Sequence, residues 1–309
     1  MLTTFAHNFR IFGVMSIKPY FKLLRPKQWI KNLFVFAALV FSHHLFDWEF
    51  AKYSLAAFAL FSATASIVYI VNDIVDRDRD RAHPKKKHRP IASGAISVPS
   101  AISTSIIIFA IVVPTAFGLP YRFGMCLALY FVMNLSYSVY LKEVVLVDVF
   151  VIAIGFMLRV VSGAFVIGVP ISSWLILTTM FLSLFLAVAK RRGELVMLES
   201  KGGDSNTRKV LEHYSVEFTE QLCTICASGF VISYALYTVS ERTVKIFGTE
   251  NLIFTTPFVL FGVFRYLYLL HKKNMGENPT EIVLTDPAMI LNFIAYAISM
   301  FMIIYLHSS

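Results

Sequence analysis

Four carboxylates and one amide, crowded at the end of an apolar run, are the residues of this chain best suited to chemistry. The apolar run covers 55–71, and the acidic stretch 72–80 follows it directly. If the helix of the apolar run continues at 100° per residue, one face carries a set of polar side chains, and Asp78 falls well away from it. Hard cations such as Mg2+ bind through a few carboxylate oxygens and the phosphates of a substrate. The face that suits such a cation consists of Tyr69, Asn72, Asp73, Asp76 and Asp80.

The acidic stretch also permits a simpler interpretation. Arg77, Arg79 and Arg81 alternate with the acids, as they would in a solvated and charge-balanced helix end. Its position at the mouth of an apolar segment favours a functional role, because ionisable residues in membrane segments are costly and usually mark sites.

A basic loop follows the acidic stretch, within 82–94. Lys86 and Arg89 of this loop can neutralise phosphate oxygens directly. A loop that only orients the chain in a membrane needs the lysines but not the preceding acids. The pairing of acids with bases therefore favours a site for a phosphorylated substrate.

Charged residues also interrupt or flank other apolar segments. Asp148 and Arg159 lie three helical turns apart and so share one face, which is expected to point to a polar interior or to pair with another helix. Two further pairs are four residues apart, as neighbours on one helix face are. These pairs are Lys27 with Lys31, alternatively a basic collar at the membrane edge, and Lys190 with Glu194.

The composition is that of a membrane protein that crosses the bilayer several times. Hydrophobic residues make up 57% of the 309 and charged residues only 15%, and a span needs roughly 20 apolar residues. We expect nine spans, at 32–47, 51–72, 100–118, 121–141, 146–167, 172–190, 218–239, 252–270 and 287–307.

The distribution of basic residues predicts the orientation of these spans. With the N-terminus in the cytoplasm, 22 of the 28 Lys and Arg residues lie in cytoplasmic segments, and two, Arg159 and Arg265, lie within spans. This bias is the positive-inside pattern, so the net charge of +9 reflects orientation and contact with anionic lipid rather than nucleic-acid binding. The outer loops hold only Lys52, Arg122, Arg242 and Lys245.

The sequence Asn72-Asp73-x-x-Asp76-x-x-x-Asp80 resembles the first aspartate motif of the UbiA-type intramembrane prenyltransferases. The resemblance extends over nearly the whole chain. It implies an all-α fold of nine transmembrane helices around a central cavity that opens at the cytoplasmic face. It also implies that Mg2+ binds the diphosphate of the donor at this motif.

The chain departs from the general family after the fourth span. Where many members carry a second acidic motif, this sequence has Tyr137, Lys142, Glu143 and Asp148. That departure and the order of the remaining motifs resemble the decaprenyl-phosphate phosphoribosyltransferase branch. Those motifs are Pro26-Lys27-Gln28-Trp29-x-Lys31-Asn32, His83-Pro84 to Arg89-Pro90-Ile91-Ala92 and Lys190-Arg191-Arg192-x-Glu194.

The branch resemblance implies transfer of 5-phosphoribose from phosphoribosyl diphosphate to a polyprenyl phosphate, with release of diphosphate, for cell-envelope glycan synthesis. It assigns Asn72 and Asp76 as metal ligands and Asp73, Asp76 and Asp80 as catalytic residues. It assigns substrate binding to Lys27, Lys31, Tyr69, Lys86, Arg89, Tyr137, Lys142, Asp148, Arg159, Lys190 and Glu194.

Two other functions remain open at this point. An aromatic-acceptor prenyltransferase would use the same Mg2+ motif but would favour a second acidic cluster and fewer bases. A lipid transporter or flippase would show paired helix breaks at mid-membrane. For the preferred function we expect one domain over 1–309, with a cytoplasmic N-terminal segment 1–31 and active-site loops at 73–99 and 190–217. We also expect location in the inner (plasma) membrane and a possible homo-oligomer.

Overall fold

The computed structural model describes residues 17–42, 44–83, 86–200, 209–272, 282 and 285–306. Within these residues every regular element is helical and no strand forms, which confirms the all-α prediction. The α-helices are α1 (Ile17–Leu23), α2 (Ala37–Val40), α3 (Trp48–Val75), α4 (Arg77–Ala82), α5 (Val98–Phe117), α6 (Tyr121–Val139), α7 (Val147–Ile167), α8 (Ser173–Ser200), α9 (Val216–Val239), α10 (Glu241–Phe247), α11 (Thr256–Lys272) and α12 (Pro287–Phe301). Short 3-10 helices cover Pro26–Phe36, Lys86–His88, Leu141–Glu143, Lys209–His213 and Asn251–Thr255, and a π-helical turn covers Met302–Leu306.

Seven helices of the described chain are long and apolar enough to cross a membrane. They are α3, α5, α7, α8, α9, α11 with the 3-10 turn before it, and α12 with the π turn after it. The protein is therefore a multi-pass membrane protein, and seven of the nine predicted spans coincide with such helices.

The spans predicted at 32–47 and 121–141 stay predictions, for different reasons. The first region consists of the 3-10 helix Pro26–Phe36 followed by the short α2, so no single helix there has the required length. The second is α6, which has 19 residues but carries Arg122, Asn134 and several hydroxyl groups that reduce its apolar character.

Helix α7 lies at the centre of the fold. It packs against α2, α3, α6, α8 and the 3-10 helix Pro26–Phe36. The last of these contacts is so close that a Cβ at Gly163 would overlap the carbonyl oxygen of Val35. Small residues at helix contacts allow such close approach, which is how helices in lipid gain packing energy.

Helices α5 and α12 lie at the edge of the bundle. Large apolar side chains such as Ile107 of α5 and Leu291 of α12 are more than half exposed. In a membrane these faces contact lipid tails, which are as apolar as the side chains themselves.

The charged segments meet at one end of the bundle. Helix α3 ends there at Val75 and α7 begins there at Val147. An ion pair between Lys142 and Asp76 joins the segments before α7 and after α3. We call this the motif end of the protein.

Candidate functional site

The acidic stretch does not continue α3 as one helix. Helix α3 ends at Val75, Asp76 occupies its C-cap with φ −88° and ψ 7°, and α4 begins at Arg77. The prediction of an unbroken helix through Asp80 is therefore wrong at this point. Acidic side chains are unfavourable at a helix C-terminus, where the helix dipole is negative, and Asp also has low helix propensity.

The carboxylates nevertheless separate into inner and outer ones. Asp73 and Asp80 are almost completely buried, with 1% and 3% of their surfaces exposed. Asp76 is partly buried, and Asp78 is exposed. Asp78 is thus separated from the other three acids, which agrees with the helical projection although α3 ends before Asp76.

Two arginines hold the buried carboxylates. Arg25 donates to Asp73 Oδ1, and Arg89 Nη1 lies 3.0 Å from the same oxygen and 2.5 Å from Asp80 Oδ2. Arg25 has a left-handed backbone, with φ 52°, and its guanidinium lies 5.2 Å from the ring centroid of Tyr69. The sequence analysis missed Arg25, because only the folded chain brings it beside a carboxylate 48 residues away.

The segment after α6 faces the acidic stretch. The 3-10 helix Leu141–Glu143 places Lys142 Nζ 2.8 Å from Asp76 Oδ1. A weaker second contact joins Glu143 to Arg79 at 3.7 Å. A base therefore stands opposite the acidic stretch and pairs with Asp76.

Arg159 is buried in α7 among neutral partners. Its Nε donates to Asn32 Oδ1 at 2.8 Å, and its Nη2 donates to the Tyr130 hydroxyl at 2.9 Å. The Nη1 group donates to the carbonyl oxygen of Gly155 at 2.7 Å. Among the described residues Arg159 forms no ion pair, so it brings a positive charge into the bundle that no carboxylate of that set, Asp148 included, neutralises.

Asp148 is enclosed at the start of α7. The Tyr214 hydroxyl donates to Asp148 Oδ1 at 2.8 Å and accepts the backbone N–H of Leu146 at 2.9 Å. Leu146 has φ 65°, an unusual backbone for a branched residue. Arg191 Nε lies 3.5 Å from Asp148 Oδ2, and Arg191 also donates to Glu194 at 2.7 Å. Asp148 is fully buried, and its contacts with Tyr214 and Arg191 join the start of α7 to the segment before α9 and to α8.

Lys31 lies among other bases. Burial, together with the positive charges of Lys190, Arg159 and Arg25, lowers the pKa of Lys31 to about 8. Lys190 Nζ itself lies 4.0 Å from Glu194 Oε1. This accumulation of positive charge suits an anionic ligand.

The expected pairing of Lys27 with Lys31 on one face is wrong. Both belong to the 3-10 helix Pro26–Phe36, where three residues complete a turn, so residues four apart point in different directions. Lys27 is exposed, whereas Lys31 is partly buried.

The remaining predicted residues lie near this end of the bundle. Asn72 is partly buried in the last turn of α3, Tyr137 is partly buried near the end of α6, and Lys86 begins the 3-10 helix Lys86–His88. Asn72 therefore stays a predicted metal ligand, and Tyr137 and Lys86 stay predicted substrate-binding residues.

The donor set of the motif fits a divalent cation that is shared with a substrate. Within the described part of the chain, no three acidic, histidine or cysteine side chains form a complete metal cage. Asp73 Oδ2 is buried without a hydrogen-bond partner there, and Asp76 turns one oxygen toward Lys142. Mg2+ commonly binds through one or two carboxylates, with phosphates and waters completing its octahedron.

The pKa of Lys31 makes activity dependent on pH if Lys31 binds phosphate. Lys31 is charged below about pH 8, so kcat/KM for a phosphorylated donor should fall as pH rises through that value, because kcat/KM reports the free enzyme. Arginine stays protonated throughout the pH range of the assay. In Lys31→Arg this alkaline fall should disappear, as measured by initial rates from pH 6.5 to 9.5.

Lys27→Arg serves as the matched control, because Lys27 is exposed on the same 3-10 helix. This variant should keep the alkaline fall of the wild type. An unchanged fall in Lys31→Arg would show that Lys31 does not carry the pH dependence.

Comparison with known proteins gives a consistent result. Residues 32–280 match the model of the UbiA prenyltransferase family. A decaprenyl-phosphate phosphoribosyltransferase from Mycolicibacterium smegmatis is 32% identical over 286 residues, which cover 89% of each chain. A protein of the same name from Corynebacterium glutamicum is 31% identical over 293 residues, covering 92% of this chain and 86% of the relative.

The fold is also found among solved structures. The structure of a UbiA homolog from Archaeoglobus fulgidus bound to GPP and Mg2+ superposes with a TM-score of 0.68. The match covers 91% of this chain and 99% of that chain at 20% identity, which shows a common fold.

Proposed function

Because this chain belongs to the UbiA prenyltransferase family, we propose that it transfers 5-phosphoribose from phosphoribosyl diphosphate to a polyprenyl phosphate and releases diphosphate. The protein is a transferase, and its relatives that carry the phosphoribosyltransferase name are about 30% identical over most of the chain. The observation that carries the choice of donor is the contact of Lys142 with Asp76. It places a base where a second acidic motif would serve a plain prenyl diphosphate donor.

The positive charges at the motif end support a donor that carries both a 5-phosphate and a diphosphate. Phosphoribosyl diphosphate carries a 5-phosphate and a diphosphate, and the acceptor adds a third phosphate. Lys31, Lys142, Arg159 and Lys190 supply the positive charges that these groups need. Such a clamp contributes by positioning the substrates and by stabilising charge as it develops.

The chemistry needs no general base. The bond between the ribose anomeric carbon and the diphosphate oxygen breaks, and the anionic oxygen of the lipid phosphate forms the new bond to that carbon. The bonding electrons leave with the diphosphate. A bound Mg2+, held by Asn72 and Asp76, would neutralise the leaving group.

The buried carboxylates have a positioning role in this scheme. Arg89 binds both Asp73 and Asp80, so it fixes these acids beside Asp76 rather than standing free for a phosphate. Lys86 lies in the same loop and remains our candidate for the acceptor phosphate. Tyr69, under the guanidinium of Arg25, is the candidate for orienting donor oxygens.

The arrangement in the membrane follows from the charge bias. We place the N-terminus and the motif end in the cytoplasm, with nine spans through the inner membrane, of which α6 and the region of α2 are the two weaker ones. Helix α6 supports this assignment because it packs along both α3 and α7, which are apolar enough to cross the bilayer. The cavity then opens to the cytoplasm, where a phosphorylated sugar is available, and a homo-oligomer remains part of the proposal.

A comparison of two donors in separate reactions tests the proposed function. Purified protein receives Mg2+, labelled phosphoribosyl diphosphate and polyprenyl phosphate in one reaction, and labelled prenyl diphosphate with an aromatic acid in another. We expect labelled lipid only in the first reaction. Product in the second reaction alone would establish the aromatic-acceptor prenyltransferase, and no product in either, with lipid movement in vesicles, would favour a transporter.

Lys142→Ala should weaken binding of the donor. A hydrogen bond to a charged group is worth about 1.5–3 kcal/mol, so the donor KM should rise roughly tenfold or more while the acceptor KM changes little. Initial rates at varied donor and acceptor concentrations measure both constants. Lys87→Ala is the control, because Lys87 is exposed in the neighbouring basic loop. An unchanged donor KM would remove Lys142 from the phosphate clamp.

A further inference from the structure

A pocket lies at the end of the bundle opposite the motif. Its volume is about 300 Å³, and it is lined by the ends of α7 and α9, the start of α8, the chain around α2, and α10. Asp148 and Ala164 are 16 residues apart on α7, so the floor of the pocket stands roughly 24 Å from the acidic end at 1.5 Å per residue. The pocket therefore belongs to the other face of the membrane and not to the transferase site.

The pocket is apolar inside and basic at its mouth. Ala164, Tyr237 and Val160 form a buried floor, whereas Arg242 and Lys245 stand at the rim. The outer loops of the whole chain hold four Lys and Arg residues, and two of them lie here within four positions of each other. The depletion of bases elsewhere on this face makes the pair a distinct feature.

These two bases share α10 with one acid, Glu241, which precedes Arg242 and lies one helical turn before Lys245. Arg242 donates to the carbonyl oxygens of Pro170 and Ile171, at 2.6 and 3.1 Å, which ties α10 to the loop before α8. Neither Arg242 nor Lys245 forms an ion pair with any described acid. The rim thus offers positive charge above an apolar groove at the depth of lipid headgroups.

We propose that this pocket binds one anionic phospholipid of the leaflet opposite the acidic motif, with its phosphate at Lys245 and Arg242 and part of an acyl chain on the apolar floor. The charge of the rim selects an anionic headgroup over a zwitterionic one, since each base near the surface adds to the attraction. The polyprenyl phosphate acceptor is not the occupant, because its phosphate must reach the motif end. The bound lipid would brace α7, α8 and α10 where they meet.

Native mass spectrometry of the detergent-purified full chain tests this site, with phosphatidylglycerol and phosphatidylcholine as probes. Wild-type protein should bind phosphatidylglycerol in preference to phosphatidylcholine. Lys245→Ala should weaken phosphatidylglycerol binding about fivefold, as expected for one base near an anionic headgroup. Lys52→Ala, which removes an outer base away from the pocket, should leave binding unchanged.

A filling variant gives an independent measurement. Ser172→Trp places a large side chain in the pocket without altering either base, and it should also reduce phosphatidylglycerol binding, with phosphoribosyl transfer retained. Equal binding of the two phospholipids, or unchanged binding in Lys245→Ala, would overturn the proposal. So would a Lys245→Ala variant that loses affinity for polyprenyl phosphate instead, because the pocket would then serve the acceptor.

Discussion

Asp76→Asn is expected to lower kcat by about a hundredfold or more, the loss that follows removal of one well-placed stabilising group. Asp76 stands between the broken end of α3 and Lys142, where the diphosphate and its cation are proposed to bind. Asparagine keeps an oxygen that accepts from Lys142 Nζ, so the fold should persist while the charge is lost. Initial rates at saturating donor measure the effect, and the unfolding temperature reports the fold.

Asp78→Asn is the matched control for this prediction. Asp78 is 80% exposed and pairs with Arg77 and Arg81 on the surface. Surface substitutions of this kind usually change stability by less than about 0.5 kcal/mol, and we expect kcat to stay within about twofold of the wild type on the same grounds. Equal losses at both positions would contradict the division into inner and outer carboxylates.

Gly163→Ala is expected to destabilise the protein, because α7 lies too close to its neighbour at this position. The new Cβ would stand 2.9 Å from the carbonyl carbon of Val35 and overlap its oxygen. Backbone atoms cannot rotate away, so α7 and the 3-10 helix Pro26–Phe36 must separate. Overpacking costs about 1–3 kcal/mol and occasionally more, so a fall in the apparent unfolding temperature of roughly 2–6 °C should follow.

Gly124→Ala adds the same methyl group where space is available. Gly124 lies in α6, and a Cβ there meets no atom within 4 Å. Alanine is favoured over glycine in a helix by up to about 1 kcal/mol, so this variant should be as stable as the wild type or slightly more stable. If both variants unfold alike, the close contact between Gly163 and Val35 does not hold the bundle together.

The loss of packing at Gly163 should also affect activity indirectly. The 3-10 helix that contacts Gly163 carries Lys31 and Asn32, and Asn32 accepts the hydrogen bond of Arg159. A shift of this helix would move the proposed phosphate clamp. Residual Gly163→Ala protein should therefore show a raised donor KM.

Local sequence patterns predicted much of the fold of this protein. Long apolar runs predicted the seven spanning helices, because a helix in lipid must satisfy its own backbone and be apolar along its length. The acidic stretch after α3 and the basic Lys142 were recognised from residue type and order. The structure brings Lys142 and Asp76 together across 66 residues of sequence.

Other features were not visible in the sequence, for physical reasons. The 3-10 geometry of Pro26–Phe36 differs from an α-helix by a small change in backbone angles. The prediction that Lys27 and Lys31 share one helix face was therefore wrong. The end of α3 before Asp76 depends on the interaction of charged side chains with the helix dipole, and each such interaction contributes little free energy.

The missed partners share one cause. Each missed residue contacts a partner far away in the sequence. The contacts are Arg25 with Asp73, Tyr130 with Arg159 and Tyr214 with Asp148, which are 48, 29 and 66 residues apart. No local spacing encodes such contacts. A basic or phenolic side chain next to a membrane segment is common enough that only the fold distinguishes these three from their neighbours.

Mass analysis of the lipid product, together with a measurement of released diphosphate, tests the central proposal most directly. Purified protein with Mg2+, phosphoribosyl diphosphate and polyprenyl phosphate should convert the lipid to a species heavier by one phosphoribosyl unit, with diphosphate released in equimolar amount. Release of diphosphate without a change in the mass of the lipid, or an unchanged lipid with no diphosphate released, would contradict the account.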